Sequence, residues 1–137
     1  MSGQFDTDLS AQMSFLLENL KEIPELKTVD LYYNQDENKL NILKYPAALC
    51  GIQNISYDKG DRIKGYERVI TAIILLLNVS VTPCKEKELL TMDLIDKVFV
   101  KLSPIHQIEF KSTNILERTS TLTAVAIEIE ITGDQLL

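Results

Sequence analysis

The chain has 137 residues, 45% of them hydrophobic and 25% charged, enough for one domain with a continuous core and no need of disulfide or metal staples. Twenty acidic residues against 14 basic ones leave a net charge of −6, so long-range electrostatics oppose capture of nucleic acid or of an anionic membrane. Two cysteines, Cys50 and Cys84, make no disulfide framework and are expected as free thiols in a reducing compartment.

Residues 1–17 lack a basic n-region and an uninterrupted apolar stretch, so no secretory signal is expected and the protein is expected inside the cell. Leu9, Met13, Leu16, Leu17 and Leu20 recur at helical spacing and predict a first helix over about Leu9 to Ile23, ended by Pro24. Val29, Leu31 and Tyr33 alternate with Asp30 and Tyr32, the pattern of a half-buried strand. Asn34 to Lys39 read as a solvated turn. A further strand is expected over Tyr45 to Tyr57, with Pro46 near its start, where a missing donor is tolerated.

The run VITAIILLLNVSV, residues 69–81, is too short to cross a bilayer, which takes about 20 apolar residues. Both of its period-2 faces are apolar in the middle and it is rich in β-branched residues, so it is predicted to be the central strand, covered on both faces. Thr82 and Pro83 then have helix-start character. Leu90, Leu94, Ile95, Val98 and Leu102 define the buried stripe of a second helix closed by Pro104. A short strand is expected in HQIEFKSTN, residues 106–114. Val125, Ile127, Ile129 and Ile131 alternate inward along the last strand while Glu128 and Glu130 face water. The order α-β-β-β-α-β-β predicts one α+β domain over residues 1–137, with a mostly antiparallel sheet of about four to six strands and two helices packed on one face.

Motifs that carry chemistry fail on inspection. Gly60 and Gly65 have phosphate-loop spacing, but Tyr66 and Glu67 stand where lysine and serine or threonine are needed. Asn34, Asp36 and Asn38 resemble the start of a calcium loop, but Lys39 replaces the turn glycine and Tyr45 the bidentate glutamate. His106 is the sole histidine, so a two-histidine zinc site is excluded. Glu128 with Glu130, and Asp93 with Asp96, read as the wet faces of amphipathic elements rather than carboxylate dyads. The glycosylation patterns at Asn54 and Asn78 read as accidents of apolar segments. No catalytic, cofactor-binding or metal-ligating residue is therefore expected, and no cofactor.

Three stretches together carry a resemblance: LLENLKEIPELKTVDLYY, residues 16–33, where a helix stops at a proline and a strand begins; KYPAALCGI, residues 44–52, where an aromatic–proline pair opens a strand; and the long strand after GYER with the helix MDLIDKVFVKL and the amphipathic last strand. In element order and pattern, the chain resembles the tail terminator and tail completion proteins of long-tailed phages, including prophage-derived minor tail proteins. The resemblance implies a non-enzymatic subunit that caps the tail tube as a homo-oligomeric ring, such as a hexamer. It implies a tail-tube protein and a head-completion protein as partners, with no specific nucleic acid and no membrane. It also implies the bacterial cytoplasm during assembly and the virion tail afterwards. The segment YDKGDRIKGYER is the candidate subunit interface: Tyr57, Asp58, Lys59, Asp61, Arg62, Lys64, Tyr66 and Arg68 combine aromatic and mixed charged groups of the kind found at interface hot spots. The alternative is a small cytosolic enzyme or ligand-binding α+β domain, with a bacterial regulatory or secretion-system adaptor behind it.

Overall fold

A computed structural model describes residues 8–32, 44–60, 66–80, 85–119 and 121–135. It has two helices, α1 (Leu9–Lys21) and α2 (Lys85–Leu102), and five strands. These are β1 (Thr28–Leu31), β2 (Ala47–Asp58), β3 (Tyr66–Val79), β4 (Ile108–Arg118) and β5 (Leu122–Gln135). The strands form one open sheet in the order β1-β2-β3-β5-β4, so residues 69–79 of the apolar run lie in the central strand, as its two apolar faces predict, while Val81 falls outside the described residues. Thr82 and Pro83, the expected helix start, fall outside the described residues, as does the turn at residues 34–39.

Three of the four pairings are antiparallel, β2 with β3, β3 with β5 and β5 with β4. β1 pairs with β2 in parallel, Thr28 opposite Ala47 through Leu31 opposite Cys50, which makes the sheet mixed. A parallel pair needs a crossover of a dozen residues or more, and the stretch from Tyr32 to Pro46 supplies that length. The end of this connection is fastened to the start of β1: Lys27 N donates to Pro46 O at 2.8 Å, and Thr28 Oγ1 donates to Lys44 O at 2.8 Å.

Both helices cover the same face of the sheet. Met13, Leu16 and Leu20 of α1 and Leu94, Val98 and Leu102 of α2 pack on Ile70, Ala72, Ile74 and Leu76 of β3 and on Val125, Ile127, Ile129 and Ile131 of β5. The stripe spacing of each helix and the alternation of each strand thus meet in one core. The opposite face carries a smaller cluster, Ala47, Leu49, Leu77 and Ala124, with Leu75 and Leu122 half-buried beside it.

Three polar side chains on the core-facing phase of α1 and β3 are buried and bonded. Gln12 of α1 accepts a hydrogen bond at 3.0 Å on its Oε1 from Arg68 Nη2, and both residues are at most 3% exposed. Gly133, opposite Arg68 in the ladder, lacks the Cβ that would otherwise stand 2.8 Å from Gln12 Nε2, so glycine there leaves room for the amide. At the other end of β3, Asn78 Nδ2 donates to Lys87 O at 3.2 Å and to Thr91 Oγ1 at 3.1 Å, both on the first turns of α2.

Ile74 is fully buried at the centre of β3. Ile74→Ala is expected to cost about 2–5 kcal/mol of unfolding free energy, and Val100→Ala, on the exposed side of α2, less than about 0.5 kcal/mol. Urea denaturation of the three proteins measures both.

Candidate interaction surfaces

The β2–β3 ribbon carries the segment singled out from its charges. Asp61, Arg62 and Lys64 lie outside the described residues. Tyr57 and Tyr66, at the open ends of the two strands, meet edge to face with ring centroids 6.3 Å apart, and Tyr57 is 56% exposed. Asp58 Oδ1 accepts from Gly60 N at 3.0 Å, and Gly60 takes a φ of +55°, which glycine adopts at no steric cost. Asp58 and Lys59 are exposed.

Arg68 departs from this group. It is 3% exposed and faces α1, where it bonds Gln12, so within a single subunit it fastens the base of the ribbon rather than presenting charge at its tip. Its phase foretells this, because Arg68 continues the inward series Ile70, Ala72, Ile74 and Leu76.

A second surface had no signal in any single motif. On the helix-free face, Tyr32, Leu49, Gly51, Ile73, Leu75 and Leu116 line most of an apolar groove of ≈ 300 Å³. A third lies along α2 and β4. Leu89, Met92 and Phe99 are each about half exposed, and Phe99 leans on Phe110 of β4 with centroids 4.8 Å apart; Val100, more exposed still, lies instead beside Ile23 and Pro24 after α1.

The chemistry-bearing residues do not converge. Among the described residues, no three His, Cys, Asp or Glu side chains are placed to hold a metal ion. His106 is exposed in the turn before β4. Burial pushes the Cys50 thiol up to about 12, which leaves almost none of the reactive thiolate at neutral pH; Cys84 lies outside the described residues. Asn78, one of the two glycosylation-like asparagines, is 6% exposed and spends its amide on α2. No helix of the described residues is long and apolar enough to cross a membrane.

Glu88 is a carboxylate with several partners. Its Oε2 accepts from Thr123 Oγ1 at 2.7 Å and its Oε1 from Arg118 Nε at 3.2 Å, with Lys87 Nζ 3.7 Å away. It therefore ties the start of α2 to both strands of the β4–β5 hairpin. No protein-family model matches the chain, and no curated protein matches it.

The hydroxyl of Thr123, and then Arg118, hold the Glu88 carboxyl below its ordinary value. A depressed folded pKa adds stability above the unfolded pKa and forfeits it as pH falls through the folded one. Glu88→Gln is expected to lower stability by about 0.5–1 kcal/mol at neutral pH, with the difference from wild type shrinking as acid protonates Glu88. Thermal melts of both proteins from neutral pH to below the carboxylate range measure this. A difference that stays constant or widens in acid would remove Glu88 from the account.

Proposed function

We propose that the chain is a non-enzymatic structural subunit of a phage or prophage tail, capping the tail tube as a ring and joining it to head-completion proteins. The observation that supports this most is the layout. Two helices lie on one face of a long-stranded sheet in the order α-β-β-β-α-β-β, the arrangement that the resemblance to tail terminator and tail completion subunits implies. The exposed end of the β2–β3 ribbon, with Tyr57 against Tyr66 beside Asp58 and Lys59, is the natural candidate for contact with the next subunit or the tube. Rigid aromatic pairs flanked by mixed charge give area at low entropic cost, and the charges fix orientation. The surplus of six negative charges suits a subunit beside passing DNA, because neutralised phosphate contacts are what create affinity for nucleic acid.

The apolar groove on the helix-free face favours a second reading, a small ligand-binding domain. The two readings separate on the ribbon. Tyr57→Ala with Tyr66→Ala should lower the melting temperature of the monomer by only a few degrees and leave it folded, since the ring pair contributes about 0.5–1.5 kcal/mol. In a tail-subunit role the double change abolishes ring formation or binding to the tube, read by electron microscopy and co-sedimentation with purified tubes. Assembly that survives with the fold intact would place the interface elsewhere. A small apolar molecule co-purifying in stoichiometric amount would favour the ligand-binding reading.

A further inference from the structure

Among the described residues, β4 closes the sheet on one side and has a strand neighbour only in β5. Alternate N–H and C=O groups along its eleven residues therefore point away from the sheet, the pattern that recruits another strand. Natural edges are blunted by proline, charge or shortness. The stretch STNIL, residues 112–116, has no proline and no charge, and Ile115 and Leu116 are 52% and 61% exposed. The outer strand on the other side, β1, has only four residues.

β4 also carries two register shifts against β5, one between Phe110 and Ser112 and one between Ile115 and Glu117. Lys111 and Leu116 are the extra residues. Each shift turns the alternation by one residue, so a regular strand laid along this edge would fall out of phase with it. A strand with two matching shifts in reverse order stays in phase. A second β4, antiparallel and centred on Asn114, is such a strand. Residues 111 and 112 of one copy then face 117 and 116 of the other, and helix-side residues meet helix-side residues from 110 to 118. Lys111 falls opposite Glu117 of the second copy, twice by symmetry. Thr113 falls opposite Ile115, and Phe110 opposite Arg118. The stretch of β2 beyond β1, which among the described residues pairs only with β3, has a single shift, between Ile52 and Asn54, and cannot match the two in β4.

We propose that β4 pairs antiparallel with β4 of a second copy about Asn114, joining two sheets into one continuous two-fold dimer. The charge match sets the register, the paired shifts keep both faces in phase, and Ile115 and Leu116 lose their exposure in the joint. The inference rests on β4 alone and not on the tail reading. A two-fold joint uses the same patch on both subunits, unlike the head-to-tail contacts that close a ring, and it leaves the β2–β3 ribbon free.

Sedimentation equilibrium of the full chain from micromolar to submillimolar concentration, with Lys111→Glu and Glu117→Lys, tests it. Each change alone sets like charges opposite each other at both symmetric positions and is expected to weaken the dimer about tenfold or more. Mixing the two variants makes every such pair opposite in sign, so a heterodimer should form at wild-type strength. Thermal melts check that each variant is folded. Because Lys111 also lies within 4 Å of Glu109 and Glu130, Ile115→Lys is the third variant, expected to abolish association without touching those ion pairs. A wild-type chain that stays monomeric overturns the proposal. So does a dimer indifferent to these substitutions, or a head-to-tail series of larger species.

Discussion

β3 hydrogen-bonds to β2 on one side and to β5 on the other along nearly its whole length, while its inner face meets both helices. A strand placed this way has little route to water for the groups of its inner phase, so residues there are apolar or held by hydrogen bonds. Ile70, Ala72, Ile74 and Leu76 meet the requirement by being apolar. Arg68 and Asn78 bracket them and meet it by bonding, the first to Gln12 of α1, the second to α2. One strand thus sets the position of both helices: apolar contact gives attraction without direction, and a polar clamp at either end gives each helix its register. Exposed ion pairs between the segment after α1 and the side of α2, Glu22 with Lys101 and Glu25 with Lys97, add little beside this, because surface pairs in water lose most of their attraction to screening and side-chain entropy.

The two faces of the sheet consequently differ in kind. The helix side is closed and contains the continuous core. The other side is apolar only toward the end where Ala47, Leu49, Leu77 and Ala124 cluster; along β5 it turns to Glu128 and Glu130, with Lys111 of β4 3.8 Å from Glu130. Exposed apolar surface is therefore concentrated at the groove beside Leu116 and along the flank where α2 adjoins β4. Leu116 belongs to both the groove and the open edge, so whatever occupies one alters the other. Patches of this sort on an otherwise charged surface mark places where a protein meets something.

Much of this was legible in the residues. β5 was plain because its inner and outer positions alternate without a break, and β3 because apolar residues fill both of its faces. β4 was read too short. Its register shifts at Lys111 and Leu116 scramble a period-2 pattern, and an edge strand with nine of its eleven residues exposed has no buried face to print on the sequence. The parallel pairing of β1 left no local mark, since direction is decided by the length and path of the connection to β2 rather than by any pattern within the strand. The burial of Arg68 was legible after all, in phase rather than in character: charge suggested a loop, whereas its step of two from Ile70 placed it inward. Gln12 is the helical counterpart, four residues before Leu16 and eight before Leu20 on the buried stripe. The groove was invisible for a different reason. It is assembled from β2, β3, Tyr32 and one residue of β4, and only the tertiary fold brings them together.

The strand order has a consequence for how the chain is made. β5 is the last strand in sequence, yet it lies between β3 and β4, so neither of those finds its neighbour on that side until residues 122–135 have emerged. At ribosomal speeds of about 5–20 residues per second, the long apolar edge of β3 waits for several seconds with no strand to cover it. During that interval the two helices, both made before β5, are what can shelter the nascent core. A pause or truncation before β5 would leave a half-built sheet with an unsatisfied central edge, the kind of species that chaperones recognise and that other unfinished chains can join.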